Sequence, residues 1–444
     1  MKNEAIQLSS YVVKRALAKG FSEVAAITQI SRNYMVKFSN NEVTVTQSWI
    51  DKKVSMYLVR NSRIYVVEDM RGDTEGIEKV LSSAREYVER IDVSELYAPL
   101  PEPSGKPLQN LVDETIIENA DKVMGSVHEL IDLGLREGAE KLAGTLFAGY
   151  RVFALATSRG AELAEEKTFI EVYARAFRGD ITGHWAWTST RFNRDEVARV
   201  GGRAGRYVAE APKAISIEPG RYEAILSPLV FGNLVNYIAN SASALMLLLG
   251  LSMFTKYKPG TKIGSDKVTI IDDPHNTLLP GARGFDDEGI ITRRNAIIDK
   301  GVFKTYLHNT KTAKKMNTES TGNAGWLSPR AWNIVIEPGG IKESEMFSEV
   351  RKGFFVLNNW YTRFQNWIEG QFSTVTRDLL LYIENGEVRG VVKRLRIAET
   401  FPHLLSNIVD LSKERYDIMW WEVTTPSRVP FALVKDIQFT KPEI

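Results

Sequence analysis

The sequence predicts an α+β protein: an amino-terminal half of two helix, antiparallel-strand, helix units, followed by a β-rich carboxy-terminal domain with one long apolar helix. Three observations predict it. Apolar residues recur at helical spacing at the start and end of each amino-terminal unit. Between those helices, apolar and polar residues alternate in stretches cut by turn-prone clusters. From Lys258 onward, short apolar runs are punctuated by turns such as DKG and ENG, the mark of a mostly β region.

The first unit covers residues 1–100. Ile6, Val12, Val13, Ala16 and Leu17 repeat at helical spacing, and Gly20 supplies a stop. Residues 23–69 alternate, with turns expected at SNN (39–41), DKK (51–53) and RNS (60–62), and a helix over 74–90 closes the unit. YAPLPEPSGKP (97–107), which has four prolines, predicts an extended connector. The second unit, 108–212, repeats the order: a helix over 114–134, strands within 141–187, and a helix over 194–210. MVKFSNNEVTV lies opposite VFALATSRGAELA, and VSMYLVRNSRIYV opposite VYARAFRGDITGH, with a turn at the same place in each. Either the halves are a degenerate duplication or two similar units arose separately. Residues 214–444 form the third region, opening with a strand in 211–228 and the apolar helix.

Composition narrows the function classes. Lys+Arg 57 against Asp+Glu 55 leaves a net charge of +2, so bulk electrostatics points to no nucleic acid, membrane surface or acidic substrate. Cys 0 removes disulfides, thiolate nucleophiles and cysteine metal ligands together. The amino terminus alternates charge with apolar residues and does not read as a signal peptide. The greasiest run, 242–254, is shorter than the roughly 20 residues that span a bilayer. A cytoplasmic protein is expected.

The stretch SPLVFGNLVNYIANSASALMLLLGL (227–251) contains the helix, predicted over 228–250. Ser227 can cap it, and Pro228 suits its first turn. Asn233, Asn236 and Asn240 then stack along one face. Plain solvent exposure explains such a face, as does something wet or missing beside it.

Downstream, GFDDEGIITR, IDKGVFKTYLHNTKTAKKM and STGNA occur in an order and spacing that resemble the TldD/PmbA family, known as modulators of DNA gyrase and as peptidase subunits. YIENGEVRGVVKRLRIAE followed by LLSNIVDL resembles that family's closing hairpin and terminal helix, so the likeness covers nearly the whole chain. The resemblance implies that the TldD branch carries His-Glu-x-x-x-His on the apolar helix and binds zinc with a further cysteine near the carboxy terminus. Here those positions fall near Asn236, Tyr237 and Ser241, none of which can do that work. The five histidines, His128, His184, His275, His308 and His403, offer no pair on one helical face. The chain therefore resembles the PmbA branch, also called TldE, which lacks the zinc motif. No metal, cofactor or catalytic residue is expected in this chain, and zinc is expected in a TldD-type partner. The asparagine face is then the vestige of a metal pocket or lies near a subunit contact.

Other clusters have weaker claims. DDPH (272–275) and FDDEG (285–289) gather carboxylates that can hold Mg²⁺ or Ca²⁺, or simply build turns at strand ends. Family membership makes Phe285, Asp286, Asp287 and Glu288 candidates for a substrate-facing or structural role. Ser320, Thr321, Gly322 and Asn323 of STGNA offer small residues and amides for an extended peptide or a tight turn. No local base supports a serine nucleophile there. Seven Lys and Arg lie between 293 and 315 against Asp299 alone, a solvated face or an anion-binding stripe. Trp360, Tyr361, Phe364 and Trp367 crowd a stretch where the family is Gly-rich, which suits a subunit surface or a core contact.

The expected function is a non-catalytic PmbA/TldE-like subunit, in a heterodimer with a TldD-type chain, acting on unfolded or extended peptides. The alternative is a homodimeric peptide-binding or scaffold protein linked to gyrase modulation, without direct nucleic-acid or membrane contact. A stand-alone hydrolase using FDDEG or STGNA comes third.

Overall fold

The computed structural model describes residues 1–209 and 211–441, and it is mixed α+β. Helix α1 (Lys2–Ala18) buries Val12, Val13 and Ala16, and the chain turns at Gly20 with φ +84. Strands β1 (Glu23–Ser39), β2 (Glu42–Arg60) and β3 (Arg63–Arg71) follow, then α2 (Thr74–Tyr87), whose first turn is capped by Asp73 accepting from the Gly76 amide at 2.7 Å. Asn40–Asn41 and Asn61–Ser62 take positive φ, as two-residue hairpin turns demand. No turn forms at 51–53. β2 runs straight through, with Asp51 opposite Ser31 on β1 and Lys53 opposite Arg71 on β3. A strand paired on both edges leaves no backbone group for a turn to satisfy, and the Asp51 carboxylate accepts from Trp49 and Asn33 instead.

The helix expected over 114–134 is three pieces: α3 (Glu114–Glu118), α4 (Ala120–Gly125) and α5 (Val127–Arg136). The first break is at Asn119, which leaves helical geometry at φ −124, ψ 43, consistent with an asparagine that competes for backbone hydrogen bonds. Strands β4 (Lys141–Thr157), β5 (Glu162–Arg178) and β6 (Ile181–Ser189) precede α6 (Arg194–Ala209), and the expected helix end at Glu210 lies outside the described residues. The six strands form one antiparallel sheet ordered β3-β2-β1-β4-β5-β6. The two units therefore share a sheet, symmetric about the β1–β4 pair, which runs from Ala25 opposite Thr157 to Phe38 opposite Gly144. Residues 97–107 are extended as expected, yet tied down: Leu100 donates to Glu23 at 2.7 Å, and Ser104 and Gly105 donate to the Gly289 carbonyl.

The carboxy-terminal half begins with β7 (Ala214–Ile215) and β8 (Gly220–Leu226), then α7 (Pro228–Ser241) and α8 (Ala244–Leu248). It continues through β9 (Ile270–Asp272), β10 (Asn295–Asp299), β11 (Val302–Phe303), α9 (Thr310–Lys315) and β12 (Ile334–Ile336). Then come β13 (Lys352–Asn366), β14 (Gln371–Glu384), β15 (Glu387–Val392), β16 (Arg396–Thr400), α10 (Phe401–Ser406), β17 (Ile408–Trp420) and β18 (Val423–Thr440). β8 pairs with parallel β13 on one side and antiparallel β18 on the other, so α7, leaving the end of β8, lies across both neighbours.

Two expectations fail here. The long helix stops at Ser241 because Ser243 bridges to Leu307: the Leu307 amide donates to Ala242 O and the Ala244 amide to Leu307 O, pulling the backbone out of helical pairing. LLSNIVDL is no terminal helix. α10 ends at Ser406 and Ile408 enters β17 opposite Val434, because a ladder partner outweighs the helical tendency of a short apolar run. Among the described residues no helix is long and apolar enough to cross a membrane. The halves are joined by Arg175, whose Nε lies 2.8 Å from Asp378 on β14.

Candidate functional site

Helix α7 starts as the sequence requires, with the Ser227 hydroxyl accepting from the Leu229 amide at 3.2 Å and Pro228 in the first turn. Its asparagines do not share one fate. Asn233 and Asn236 are 1 % and 3 % exposed, whereas Asn240 is open to solvent. The Asn233 amide donates to Glu422 O at 2.6 Å, and its oxygen accepts from Asn359 at 2.8 Å and Thr362 at 2.7 Å. Asn236 donates to Ser427 at 3.1 Å and Gly232 O at 2.9 Å, and accepts from the Thr425 amide at 2.9 Å. These two amides bolt the helix to β13 and to the β17–β18 turn, so that part of the face is neither wet nor empty.

Tyr237 and Ser241 point elsewhere. The Tyr237 hydroxyl donates to Thr362 O at 2.8 Å, its ring packs against Phe364, and burial raises its pKa. The Ser241 hydroxyl donates to Tyr237 O at 2.9 Å. Both line a cleft of about 410 Å³ together with Asn240. Met246 of α8, the loop 325–330, Asp287, Phe364 and Trp367, and Glu68 from β3 complete the walls.

Zinc can be tested against this geometry. At Asn236, Tyr237 and Ser241, the positions the resemblance sets against a zinc motif, stand a neutral amide with both ends engaged and two hydroxyls donating to main-chain carbonyls. Such donors do not fit zinc. Nor do three or more His, Cys, Asp or Glu side chains gather in metal-holding geometry anywhere among the described residues.

FDDEG and STGNA, 35 residues apart along the chain from Phe285 to Ser320, meet beneath the 325–330 loop. Asp286 accepts from the amides of Glu288 (3.0 Å), Ile290 (2.9 Å) and Ala324 (3.0 Å). Glu288 holds the first turn of α9, accepting from the Thr310 amide at 2.9 Å and its hydroxyl at 2.6 Å. Burial raises the pKa of both carboxyls, and their mutual repulsion raises that of Asp286 further. Phe285 is core, packed with Leu100, Leu155 and Trp326. Gly284 is required there, because a Cβ would sit 1.8 Å from Lys106 O. Ser320 donates to His308 O at 3.3 Å, Thr321 accepts from the His308 amide at 2.7 Å, and Asn323 bonds Asp272 and Arg330 O. Gly322 takes φ +74 with Ile291 O 2.4 Å from any Cβ. These residues are a frame under the cleft.

Asp287 alone of the two motifs lines the cleft, held between Arg283 at 3.0 Å and Arg330 at 3.3 Å. The DDPH carboxylates do not converge with it: Asp272 accepts from the Trp332 and Asn333 amides, and His275 lies 3.2 Å from the Thr292 hydroxyl. The basic stretch 293–315 is not one surface either. Lys311 turns inward to Trp326 O, Arg294 pairs with Glu337 and Lys304 with Asp299. Sequence reasoning did not pick out Glu68, Met246 or 325–330. GWLSPR, an aromatic between Gly and Pro directly after STGNA, was the available signal for the loop, and Glu68 carried none.

Residues 219–441 match the family described as PmbA/TldA metallopeptidase C-terminal domain. A metalloprotease of Methanocaldococcus jannaschii is 32 % identical over 209 residues, 46 % of either chain. Metalloprotease PmbA of Escherichia coli O157:H7 is 29 % identical over 187 residues, 42 % of this chain and 38 % of its own. The chain thus spans about half the length or less of the curated relatives it matches. In fold it is similar to TldE from Thermococcus kodakarensis, with a TM-score of 0.84 at 19 % identity, covering 98 % of this chain and 100 % of that one. A Bacteroides thetaiotaomicron protein described as a candidate modulator of DNA gyrase superimposes with a TM-score of 0.82 at 21 % identity, covering 98 % of each chain. With the family match extending over half the chain, this protein belongs to the PmbA/TldD family of metallopeptidases.

Proposed function

We propose that this chain is a non-catalytic subunit of a zinc metallopeptidase assembly, paired with a TldD-type chain that holds the metal, and that its cleft receives extended or unfolded peptides. One observation carries the reading. Asn236 and Tyr237 are committed to hydrogen bonds that tie α7 to β18 and β13, Ser241 to one within the helix, and none offers a donor atom or charge suited to zinc. The walls suit a peptide: Tyr237, Phe364 and Trp367 offer apolar contact, while Asp287, Arg330 and Glu68 supply charge. In such an assembly the partner's zinc supplies the Lewis acid and the activated water, and this chain shapes the cleft.

Metal analysis and peptide turnover on the chain alone, and mixed with a TldD-type chain, test this. Zinc and cleavage are expected in the mixture only. Turnover by the isolated chain that survives chelators overturns the proposal, and a peptide-binding homodimer inert in both samples would favour a scaffold role instead.

A further inference from the structure

Many arginines of this protein sit beside a carboxylate, as Arg175 does with Asp378, Arg428 with Asp417 and Arg203 with Glu343. One surface departs from that pattern. The register of β13 against β14 sets Asn358 opposite Arg377, Trp360 opposite Val375 and Arg363 opposite Ser373, while Arg396 of β16 faces Val375. Arg363, Arg377 and Arg394 form no ion pair with any described residue, and Arg396 donates to the Ser373 hydroxyl at 3.1 Å. Lys393 and Arg394 are exposed.

Aromatic rings are interleaved with these cations. Arg377 and Arg394 lie 4.7 and 5.7 Å from the centre of the Trp360 ring, and Arg363 lies 5.6 Å from that of Tyr361. The Trp360 indole N–H is buried without an acceptor. Tyr361 is 55 % exposed and sits at φ +54, a strained conformation for a bulky residue, with its amide 3.4 Å from Glu422. Trp421, next in sequence to Glu422, is 64 % exposed. One half-buried carboxylate thus faces a group of unpaired guanidiniums beside open rings. Burial and the neighbouring Arg175 and Arg394 disfavour the charge on Arg377, Asp378 and Glu422 favour it, and the net shift is downward, a cost that an incoming anion offsets.

The patch is continuous with the cleft. β13 carries Trp360, then Thr362, whose carbonyl accepts from Tyr237, and then Phe364, with Trp367 just beyond, both cleft-lining. At about 3.3 Å per residue, an extended chain crosses from patch to cleft in well under ten residues.

We propose that this arginine–aromatic patch is a second subsite of the cleft and takes an acidic, extended stretch of polypeptide. Asp or Glu side chains meet the forks of Arg363, Arg377 and Arg394, and flanking apolar side chains lie on Tyr361 and Trp421. The inference rests on the peptide-cleft reading above. Single-stranded nucleic acid also combines phosphates with stacking. Continuity with a cleft that suits polypeptide favours the acidic peptide.

Tryptophan fluorescence of the whole chain, titrated with a Glu-rich dodecapeptide, its Gln counterpart and an oligothymidylate of equal charge, decides the matter. The acidic peptide should bind at least about tenfold more tightly than either competitor, with affinity falling as salt rises. Arg394→Ala and Arg363→Ala, both at exposed positions, should each weaken it several-fold, while Arg199→Ala on α6 should not. Equal binding of the Gln peptide, equal or tighter binding of the oligonucleotide, or equal loss in the α6 control overturns the proposal. The titration needs no zinc-bearing partner, so its failure leaves the subunit reading standing, and failure of the subunit test leaves this one measurable.

Discussion

The amide face of α7 and the carboxylate junction beneath the 325–330 loop both brace the cleft, one from neutral groups and the other from ionisable ones. Asn233 and Asn236 bond only uncharged donors and acceptors, so their cost of burial is independent of proton concentration. Asp286 accepts from three amides and Glu288 from the Thr310 amide and hydroxyl, yet burial and repulsion raise their pKa values. The amide brace is therefore indifferent to pH and the carboxylate brace is not. Position 236 illustrates the neutral brace: its side chain is a hydrogen-bonded strut between α7 and β18.

Removing the carboxylate brace should be the most damaging change. Asp286→Ala strands the buried amides of Glu288, Ile290 and Ala324, at a cost of about 3–5 kcal/mol, to be read by urea denaturation at neutral pH. A loss below about 1 kcal/mol would show that the loop is held by packing alone. The sign of the pH effect follows from the raised pKa values. Between about pH 4 and the folded-state pKa values the native state binds more protons than the unfolded chain, so this cluster's contribution declines as pH rises through that window.

Asn233→Ala comes next. It leaves Glu422 O without its donor and takes one partner each from Asn359 and Thr362, which keep Thr374, and about 2 kcal/mol should be lost, by the same amount at pH 5 and pH 8. A marked pH dependence would erase the contrast between the two braces.

Glu171 on β5 sharpens the contrast from a third position, since no described residue bonds to its carboxyl and burial alone pushes its pKa to about 7. The wild type should lose stability as pH rises from about 4.5 through about 7, and Glu171→Gln should remove the Glu171 share of that slope while leaving the share of Asp286 and Glu288. By thermal denaturation the variant should gain about 2 kcal/mol at pH 8 and nothing near pH 4. No gain at pH 8 would mean that the carboxyl is solvated.

Legibility followed the range of the interactions. The hairpin turns at Asn40–Asn41 and Asn61–Ser62, the cap of α7 and the extended 97–107 connector rest on neighbours in sequence, and each was readable. DKK was misread because turn propensity competes with ladder partners on both edges of β2, and those partners lie elsewhere in the chain. The long apolar helix was misread because one bridge to Leu307, on a separate segment, ends it. The two motifs suited either a substrate-facing or a structural role, and in the fold only Asp287 of them lines the cleft while the rest lie under it. A motif pattern records which residues recur, not which way they point.

By itself the sequence determined the alternating hairpins of the first sheet, the start of α7 and the absence of suitable metal ligands at positions 236, 237 and 241, because periodicity, capping and donor chemistry are properties of residues and their neighbours. Only the tertiary structure decided that Asn233 and Asn236 are struts, since the Glu422 and Thr425 groups that satisfy them lie 189 residues along the chain from each. Burial has the same origin. Whether a polar side chain meets water or a partner depends on which distant strands fold over it, and local pattern carries no record of that.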